Sequence, residues 1–147
     1  MKNPVIINSP LWWYFWHYGA FIYGFVRFGD SLISSIVYAI VFDYLISCIW
    51  QKRITIYESH VDILYYTRLF SRQKVLHFND INRATVALGG VDELRIWEKN
   101  SFLCIMMEIE PDKIKPALTL LFDGGVPVKI HGSLEKKLIY KPDAMDI

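Results

Sequence analysis

Two apolar runs near the start of the chain, LWWYFWHYGAFIYGFVRF (residues 11–28) and LISSIVYAIVFDYLISCIW (residues 32–50), decide how the fold is interpreted. Only three residues, 29–31, separate them. Each run approaches the roughly 20 apolar residues that cross a hydrocarbon core of about 30 Å. The pattern therefore predicts a transmembrane hairpin of two helices at residues 1–51, followed by a second domain at residues 52–147.

Basic residues near the ends of the two runs predict the orientation of this hairpin. Lys2 precedes the first run, and Lys52 and Arg53 follow the second, whereas Arg27 stands beside Asp30 in the turn. The positive-inside rule then places both termini and the second domain in the cytoplasm. The predicted localisation is the inner (cytoplasmic) membrane, as a multi-pass protein.

Small residues at matching depths predict how the two helices pack. Folding the runs on each other at the turn brings Gly24 opposite Ser35 and Ala20 opposite Ala39. Small side chains let helices approach closely in lipid, where apolar area supplies little driving force of its own. These four residues are the predicted helix-packing positions.

The same register sets His17 opposite Asp43, which makes this intramembrane polar pair the sharpest candidate site. A carboxylate inside a span costs about 2.5 to 3.5 kcal/mol on insertion scales, so it normally finds a partner. We interpret the pair as a hydrogen bond that locks the hairpin, or Asp43 as a contact to a partner subunit. A proton or ion pathway through His17 and Asp43 is the alternative.

Aromatic residues are concentrated at the start of the first run, at Trp12, Trp13 and Trp16. Side chains of this kind populate the interface between membrane and water, so an aromatic belt is one interpretation. Helical spacing spreads them around the whole circumference, and a docking face for a second protein is the other.

Beyond Trp50 the hydrophobic pattern changes to period two, which is typical of strands. Six short runs separated by hairpin-length links predict an antiparallel sheet that curls to bury one face. The runs are RITIYES (53–59), VDILYYTRLF (61–70), QKVLHF (73–78), INRATVAL (81–88), DELRIWEK (92–99) and FLCIMMEI (102–109).

The remainder of the chain predicts one helix and a tail. EPDKIKPALTLLFDGG (110–125) has prolines suited to a helix start and a glycine pair suited to its end. An edge strand is predicted at residues 126–131, and the charged segment after it is expected to be partly disordered.

A basic and apolar patch is predicted in the second hairpin, formed by Arg68, Leu69, Phe70, Arg72 and Lys74. Apolar residues beside basic ones suit an interface, and each cation near an anionic leaflet contributes on the order of 1 kcal/mol. The patch is interpreted as a contact for lipid or a partner. A solvated hairpin with ordinary surface charges is the alternative.

The segment ITIYESHVDILYYTRLFSRQKVLHFNDINRATV (54–86) resembles the opening of the bacterial pleckstrin-homology-like (PH-like) domains. It shares a strand, a polar turn, a second strand that ends in LFSR, and a third that runs into Asp80 and Ile81. In many such proteins the domain follows a pair of membrane helices. The resemblance implies a bent antiparallel sheet capped by a C-terminal helix, with a binding or assembly role and no catalysis.

The residues themselves offer no enzyme signature. The histidines His60, His77 and His131 stand in no metal-ligand spacing, and Gly89-Gly90 is explained by a turn rather than a phosphate loop. We therefore expect no enzyme activity, no metal and no cofactor. The formal net charge of +1 also argues against a broad nucleic-acid interface.

Three classes of function follow. The leading one is a non-catalytic, membrane-anchored accessory or assembly subunit of a larger integral membrane complex, such as a transporter, a polysaccharide synthase or a respiratory complex. The second is a self-assembling membrane scaffold, hence a homo-oligomer, or a module that binds anionic membrane lipids. The third is a proton or ion pathway element that uses His17 and Asp43.

Overall fold

The computed structural model describes residues 2–9, 19, 23–24, 31–70, 72–102 and 104–143. Within these ranges it contains eight strands and three helices of more than one turn. The strands are β1 (Val5–Asn8), β2 (Lys52–Ile56), β3 (His60–Tyr65), β4 (Gln73–His77), β5 (Ile81–Ala87), β6 (Glu93–Glu98), β7 (Cys104–Glu108) and β8 (Val128–His131). The helices are α1 (Leu32–Trp50), α2 (Pro111–Asp123) and α3 (Leu134–Tyr140), and a 3₁₀ turn spans Phe78–Asp80.

The strands form two four-stranded sheets, in the orders β1-β2-β3-β4 and β7-β6-β5-β8. In the first sheet, β1 runs antiparallel to β2 with Val5 opposite Ile56, and β3 runs antiparallel to β4 with His60 opposite His77. In the second sheet, β5–β6 and β6–β7 are antiparallel. The last strand, β8, pairs parallel to β5, with Ala84 opposite Val128.

The buried side chains come from alternate strand positions and from one face of α2. Strands β2 and β3 turn Ile54, Ile56, Val61 and Ile63 inward, as period two requires. Helix α2 begins with Pro111, which needs no amide partner in the first turn. Its buried face consists of Ile114, Ala117, Leu118, Leu120 and Leu121.

The chain divides into two compact units. The first, here called the sheet unit, comprises Met1–Asn8, Arg53–Leu64 and Gln73–Ile147. The second, here called the helix unit, comprises Ser9–Lys52 and Tyr65–Arg72. Unlike the division expected from sequence, the first eight residues group with the sheets, because β1 pairs with β2.

The predicted two-helix transmembrane hairpin is wrong. Across the described ranges, no helix is both long enough and apolar enough to cross a membrane. The assignment to a multi-pass protein of the inner membrane, with both termini in the cytoplasm, is overturned with it. The other predicted helix lies outside the described residues except at Gly19, Tyr23 and Gly24.

The predicted sheet also needs correction. The six period-two runs do contain strands β2 to β7, but the strands form two sheets and the second is mixed rather than antiparallel. A parallel neighbour for β5 requires a crossover connection, and the segment containing α2 supplies it. The segment expected to be a partly disordered tail forms α3, which Ser133 caps by accepting a hydrogen bond from the Lys136 amide.

Candidate interaction surface

Helix α1 buries its small residues and exposes its large ones. Ser35, Ala39 and Ser47 are 2%, 4% and 5% exposed, and their spacing by multiples of four puts them on one stripe. By contrast, Ile33 is 76% exposed and Val41 is 52% exposed. A helix on the surface of a globular protein normally shows the opposite distribution, with its large apolar residues inward.

Both ends of α1 are fixed by hydrogen bonds. At the N-terminus the Ser31 hydroxyl accepts from the Ser34 amide, and the Ser34 hydroxyl accepts from the Ser31 amide, which makes a reciprocal capping box. At the C-terminus the Gln51 amide donates to the Ser47 carbonyl. These caps satisfy main-chain polar groups that have no partner within the helix. Both ends of α1 are therefore well defined.

The segment Tyr65–Arg72, here called the Arg68 loop, is attached to the C-terminal end of α1. Arg68 Nε donates to the Cys48 carbonyl at 2.9 Å, and the Tyr66 amide donates to the Gln51 carbonyl at 3.0 Å. The loop closes on itself through the Tyr65 amide, which donates to the Arg72 carbonyl at 2.7 Å. The loop and α1 therefore form one connected surface within the helix unit.

Arg68 makes two further contacts within this loop, one through its guanidinium and one through its main-chain carbonyl. Its Cζ lies 3.5 Å from the centroid of the Tyr65 ring, a cation–π arrangement. The Arg68 carbonyl accepts from Arg72 Nε at 2.8 Å. The side chain is thus held against the protein rather than extended into solvent.

Tyr44 and Cys48 join the same region one helical turn apart. The hydrogen bond between the Tyr44 hydroxyl and the Cys48 thiol raises the pKa of Tyr44, with partial desolvation adding to the effect. A hydrogen bond with the Leu69 backbone opposes this rise in the pKa. The Cys48 thiol also donates to the Thr67 carbonyl, at 3.8 Å. These contacts tie the last turns of α1 to the tip of the Arg68 loop.

The helix unit consequently carries many exposed large apolar side chains on α1 and the Arg68 loop. Together they define what is here called the apolar surface. Its members are Ile33, Ile36, Val37, Tyr38, Ile40, Val41, Phe42, Tyr44 and Leu45 on α1, with Tyr66, Leu69 and Phe70 on the loop.

Several site residues expected from sequence are not described by the structure. His17, Ala20 and the aromatic positions Trp12, Trp13 and Trp16 lie outside the described residues. The pairing of His17 with Asp43, the pairing of Ala20 with Ala39, and the role of the three tryptophans therefore stay predictions.

The other expected membrane-facing positions lie as follows. Asp43 is half-buried and lies between Ala39 and Ser47 on the buried stripe of α1. Gly24 is helical and half-buried, and a Cβ added there would have no atom within 4 Å. Small residues of α1 are buried, but among the described residues none packs closely against Gly24.

The predicted basic and apolar patch is divided between the two units. Arg68, Leu69, Phe70 and Arg72 belong to the helix unit, where Leu69 and Phe70 are 66% and 84% exposed. Lys74 belongs to the sheet unit, where its ammonium pairs with Glu98 at 2.5 Å. Of the two predicted arginines in the loop, Arg68 has a structural role that the sequence did not indicate.

Sequence reasoning also missed a cluster on the outer face of the first sheet. His60 and Asp62 are two residues apart on β3, so both side chains lie on one face. His77 on β4 stands directly opposite His60 in the strand register. The alternation around Val61 and Ile63 was visible in the sequence, but the register that adds His77 was not.

No protein-family model matches the chain, and no curated protein matches it.

Proposed function

We propose that the chain is a non-catalytic assembly module that binds another protein through the apolar surface of α1 and the Arg68 loop. The observation that carries the proposal is the reversed distribution on α1, where Ser35, Ala39 and Ser47 are buried while large apolar residues are exposed. Contiguous exposed apolar area on a folded protein marks an interaction site more often than chance.

The energetics favour a partner with an apolar docking surface. Burying one Val, Leu, Ile or Phe side chain contributes about 1.5–3 kcal/mol relative to leaving it in water. Four or five such side chains together contribute about 6–15 kcal/mol, the same order as the cost of association, so a stable complex must bury more of the apolar surface than that. Aromatic residues at the loop tip, Tyr66 and Phe70, are of the type that dominates interface energetics.

The arrangement of the sheet unit is compatible with the same role. The sheet unit contains strands β2 to β7 followed by helix α2 with its buried face. We propose that this unit serves as a scaffold. The scaffold would carry the helix unit and has no catalytic step of its own.

The first experiment identifies the partner. The full-length protein is recovered from its native cells after crosslinking, and co-purifying proteins are identified by mass spectrometry. The main candidate is then purified, and its Kd for the full-length protein is measured by isothermal titration calorimetry. We expect a single dominant partner with one-to-one or otherwise integral stoichiometry.

Charge-introducing variants then test the surface with matched controls. Val41→Glu and Phe70→Glu place a carboxylate on the apolar surface, whereas Val91→Glu and Phe102→Glu do so elsewhere at comparable exposure, 47% and 107%. We expect the first two to weaken binding at least about tenfold, because a charge buried without a partner is costly. The controls should change Kd by less than about twofold.

Other outcomes overturn the proposal. If all four variants bound the partner with the Kd of the parent protein, the interface would lie elsewhere. Recovery of the protein only with itself, with sedimentation showing an oligomer that Val41→Glu dissociates, would assign the surface to self-assembly. Binding of the purified protein to anionic vesicles, abolished by Phe70→Glu, would assign it to lipid instead.

A further inference from the structure

The outer face of the first sheet brings together two imidazoles and a carboxylate. His60 and Asp62 project from β3 on the side opposite the buried Val61 and Ile63. His77 projects from β4 on the same side, because its neighbour Leu76 is buried. All three residues belong to the sheet unit.

The His60 ring is held in a fixed orientation by its neighbours. Its Nδ1 lies 2.9 Å from the Ser59 hydroxyl oxygen, and its ring stacks on Tyr57 with centroids 4.7 Å apart and planes 17° apart. When Nδ1 carries the proton and donates to Ser59, Nε2 keeps a free lone pair. A hydrogen bond from the second ring nitrogen is the usual support of a metal-bound histidine.

The Asp62 carboxylate has one oxygen in need of a partner. Oδ2 accepts a long hydrogen bond from Gln73 Nε2 at 3.5 Å. Oδ1 is buried and has no hydrogen-bond partner. Its nearest cationic or potentially cationic atom is His60 Nε2 at 3.7 Å, beyond hydrogen-bond distance. A buried carboxylate oxygen without a donor is unfavourable, and a metal ion would satisfy it.

The distances suit a small divalent cation. Zn²⁺ binds histidine nitrogen and carboxylate oxygen at about 2.0–2.2 Å, so two ligand atoms on one tetrahedral ion stand about 3.4 Å apart. The 3.7 Å between His60 Nε2 and Asp62 Oδ1 is close to that separation. The ring centroids of His60 and His77 are 6.2 Å apart, within reach of a common ion.

The His77 side chain must rotate for all three ligands to converge. No three such side chains in the described ranges already surround a common point. His77 is exposed and its ring is tilted 52° from that of His60, so rotation about its side-chain bonds has room. His60 and Asp62 need only a small adjustment.

We propose that His60, Asp62 and His77 form a zinc-binding site on the outer face of the first sheet. Two histidines and one carboxylate are a donor set that Zn²⁺ favours, and three protein ligands leave a fourth position for water or a partner's side chain. The ion would link β3 to β4. The Ser59 hydroxyl orients His60 without touching the metal.

Binding of Zn²⁺ to the untagged, full-length protein tests the site. After dialysis against a chelator, Zn²⁺ is titrated by calorimetry, and Co²⁺ is added separately to record its visible absorption. We expect one Zn²⁺ per chain and the intense absorption of tetrahedral Co²⁺. We expect His77→Gln and Asp62→Asn each to weaken binding by more than about tenfold, and Ser59→Ala by about tenfold.

His131→Gln is the matched control, because it removes an exposed histidine from β8 in the other sheet. It should leave the Zn²⁺ affinity unchanged. Absence of binding, binding that His77→Gln and Asp62→Asn leave unchanged, or equal weakening by His131→Gln would each overturn the proposal. Circular dichroism of each variant tests whether the substitution leaves the fold intact.

Discussion

The Phe78 ring packs so closely on the backbone of Gly124 that a Cβ added at residue 124 would lie 2.0 Å from Phe78 Cδ2. Phe78 is buried at the start of the 3₁₀ turn, and Gly124 follows directly on α2. We expect Gly124→Ala to lower the free energy of unfolding by about 1–3 kcal/mol, because the ring must shift within a packed interior. Urea denaturation of the full-length protein measures the change.

Gly90→Ala is the control for this prediction, because a Cβ added at Gly90 has no atom within 4 Å. Its effect should stay within about 0.5 kcal/mol, as for most surface changes. Phe78→Leu in the Gly124→Ala background should restore part of the loss. If Gly124→Ala and Gly90→Ala had equal stability, the close packing at Gly124 would be refuted.

Arg68 should stabilise its loop through its side chain. Arg68→Met removes the hydrogen bond from Nε to the Cys48 carbonyl and the cation–π contact with Tyr65. We expect a loss of about 1–2 kcal/mol and faster hydrogen exchange at the Tyr66 amide. Arg68→Lys should restore little, since an ammonium cannot reproduce the Nε donor. Hydrogen exchange of the Tyr66 amide as slow in Arg68→Met as in the parent would contradict this prediction.

Asp143 should contribute to stability only above the acid range. Its hydrogen bond with the Lys115 ammonium, at 2.8 Å, and the attraction between the two charges hold the pKa of Asp143 below its ordinary value. Because the folded-state pKa is the lower one, the contribution is present above the unfolded-state pKa and is lost as pH falls through the folded-state pKa.

Denaturation at two pH values checks this sign. Asp143→Asn should reduce stability slightly at pH 7, and this difference should shrink as the pH is lowered, because protonation removes the carboxylate charge that Lys115 attracts. High salt at pH 7 should shrink the difference, because the Asp143 side chain is 92% exposed. A difference that grew on acidification would contradict the assignment.

The two parts of the C-terminal segment, α3 and β8, should differ sharply in how much they stabilise the protein. Truncation after Gly132 removes α3, which has no buried residues, together with a buried Pro142. Truncation after Gly125 also removes β8 and the residue Val126 before it. Val126 and Val128 are only 2% and 8% exposed, and loss of β8 uncovers Thr85 on β5. We expect a loss of about 1 kcal/mol for the first truncation and more than about 3 kcal/mol for the second. Equal melting temperatures would show that β8 adds nothing.

Local pattern was sufficient for strands β2 to β8 and for α2. Alternation fixes which face of a strand is buried, and it predicts ten inward residues. Eight of them are buried, namely Ile54, Ile56, Ile63, Tyr65, Val86, Leu94, Ile96 and Met107. Ile105 is half-buried, and Leu103 lies outside the described residues. The helix expected within residues 110–125 is α2, Pro111–Asp123.

Pattern failed where the outcome depends on distant parts of the chain. The short run VIIN is rich in β-branched residues, but the sequence alone does not identify its partner β2, which follows about fifty residues later. The apolar sequence of α1 predicted a membrane span, but across the described residues no helix is both long enough and apolar enough to cross a membrane. The cluster of His60, Asp62 and His77 needed the register of β3 with β4.

The pairing of β1 with β2 has a consequence for replacing the segment that connects them. Asn8 and Arg53 stand opposite each other in adjacent antiparallel strands, and next to them the Ser9 and Lys52 main chains are joined by a hydrogen bond of 3.1 Å. The long segment between them therefore leaves and re-enters the fold at neighbouring points. It is an insertion at a hairpin, and a short turn can replace it without altering the order of any strand.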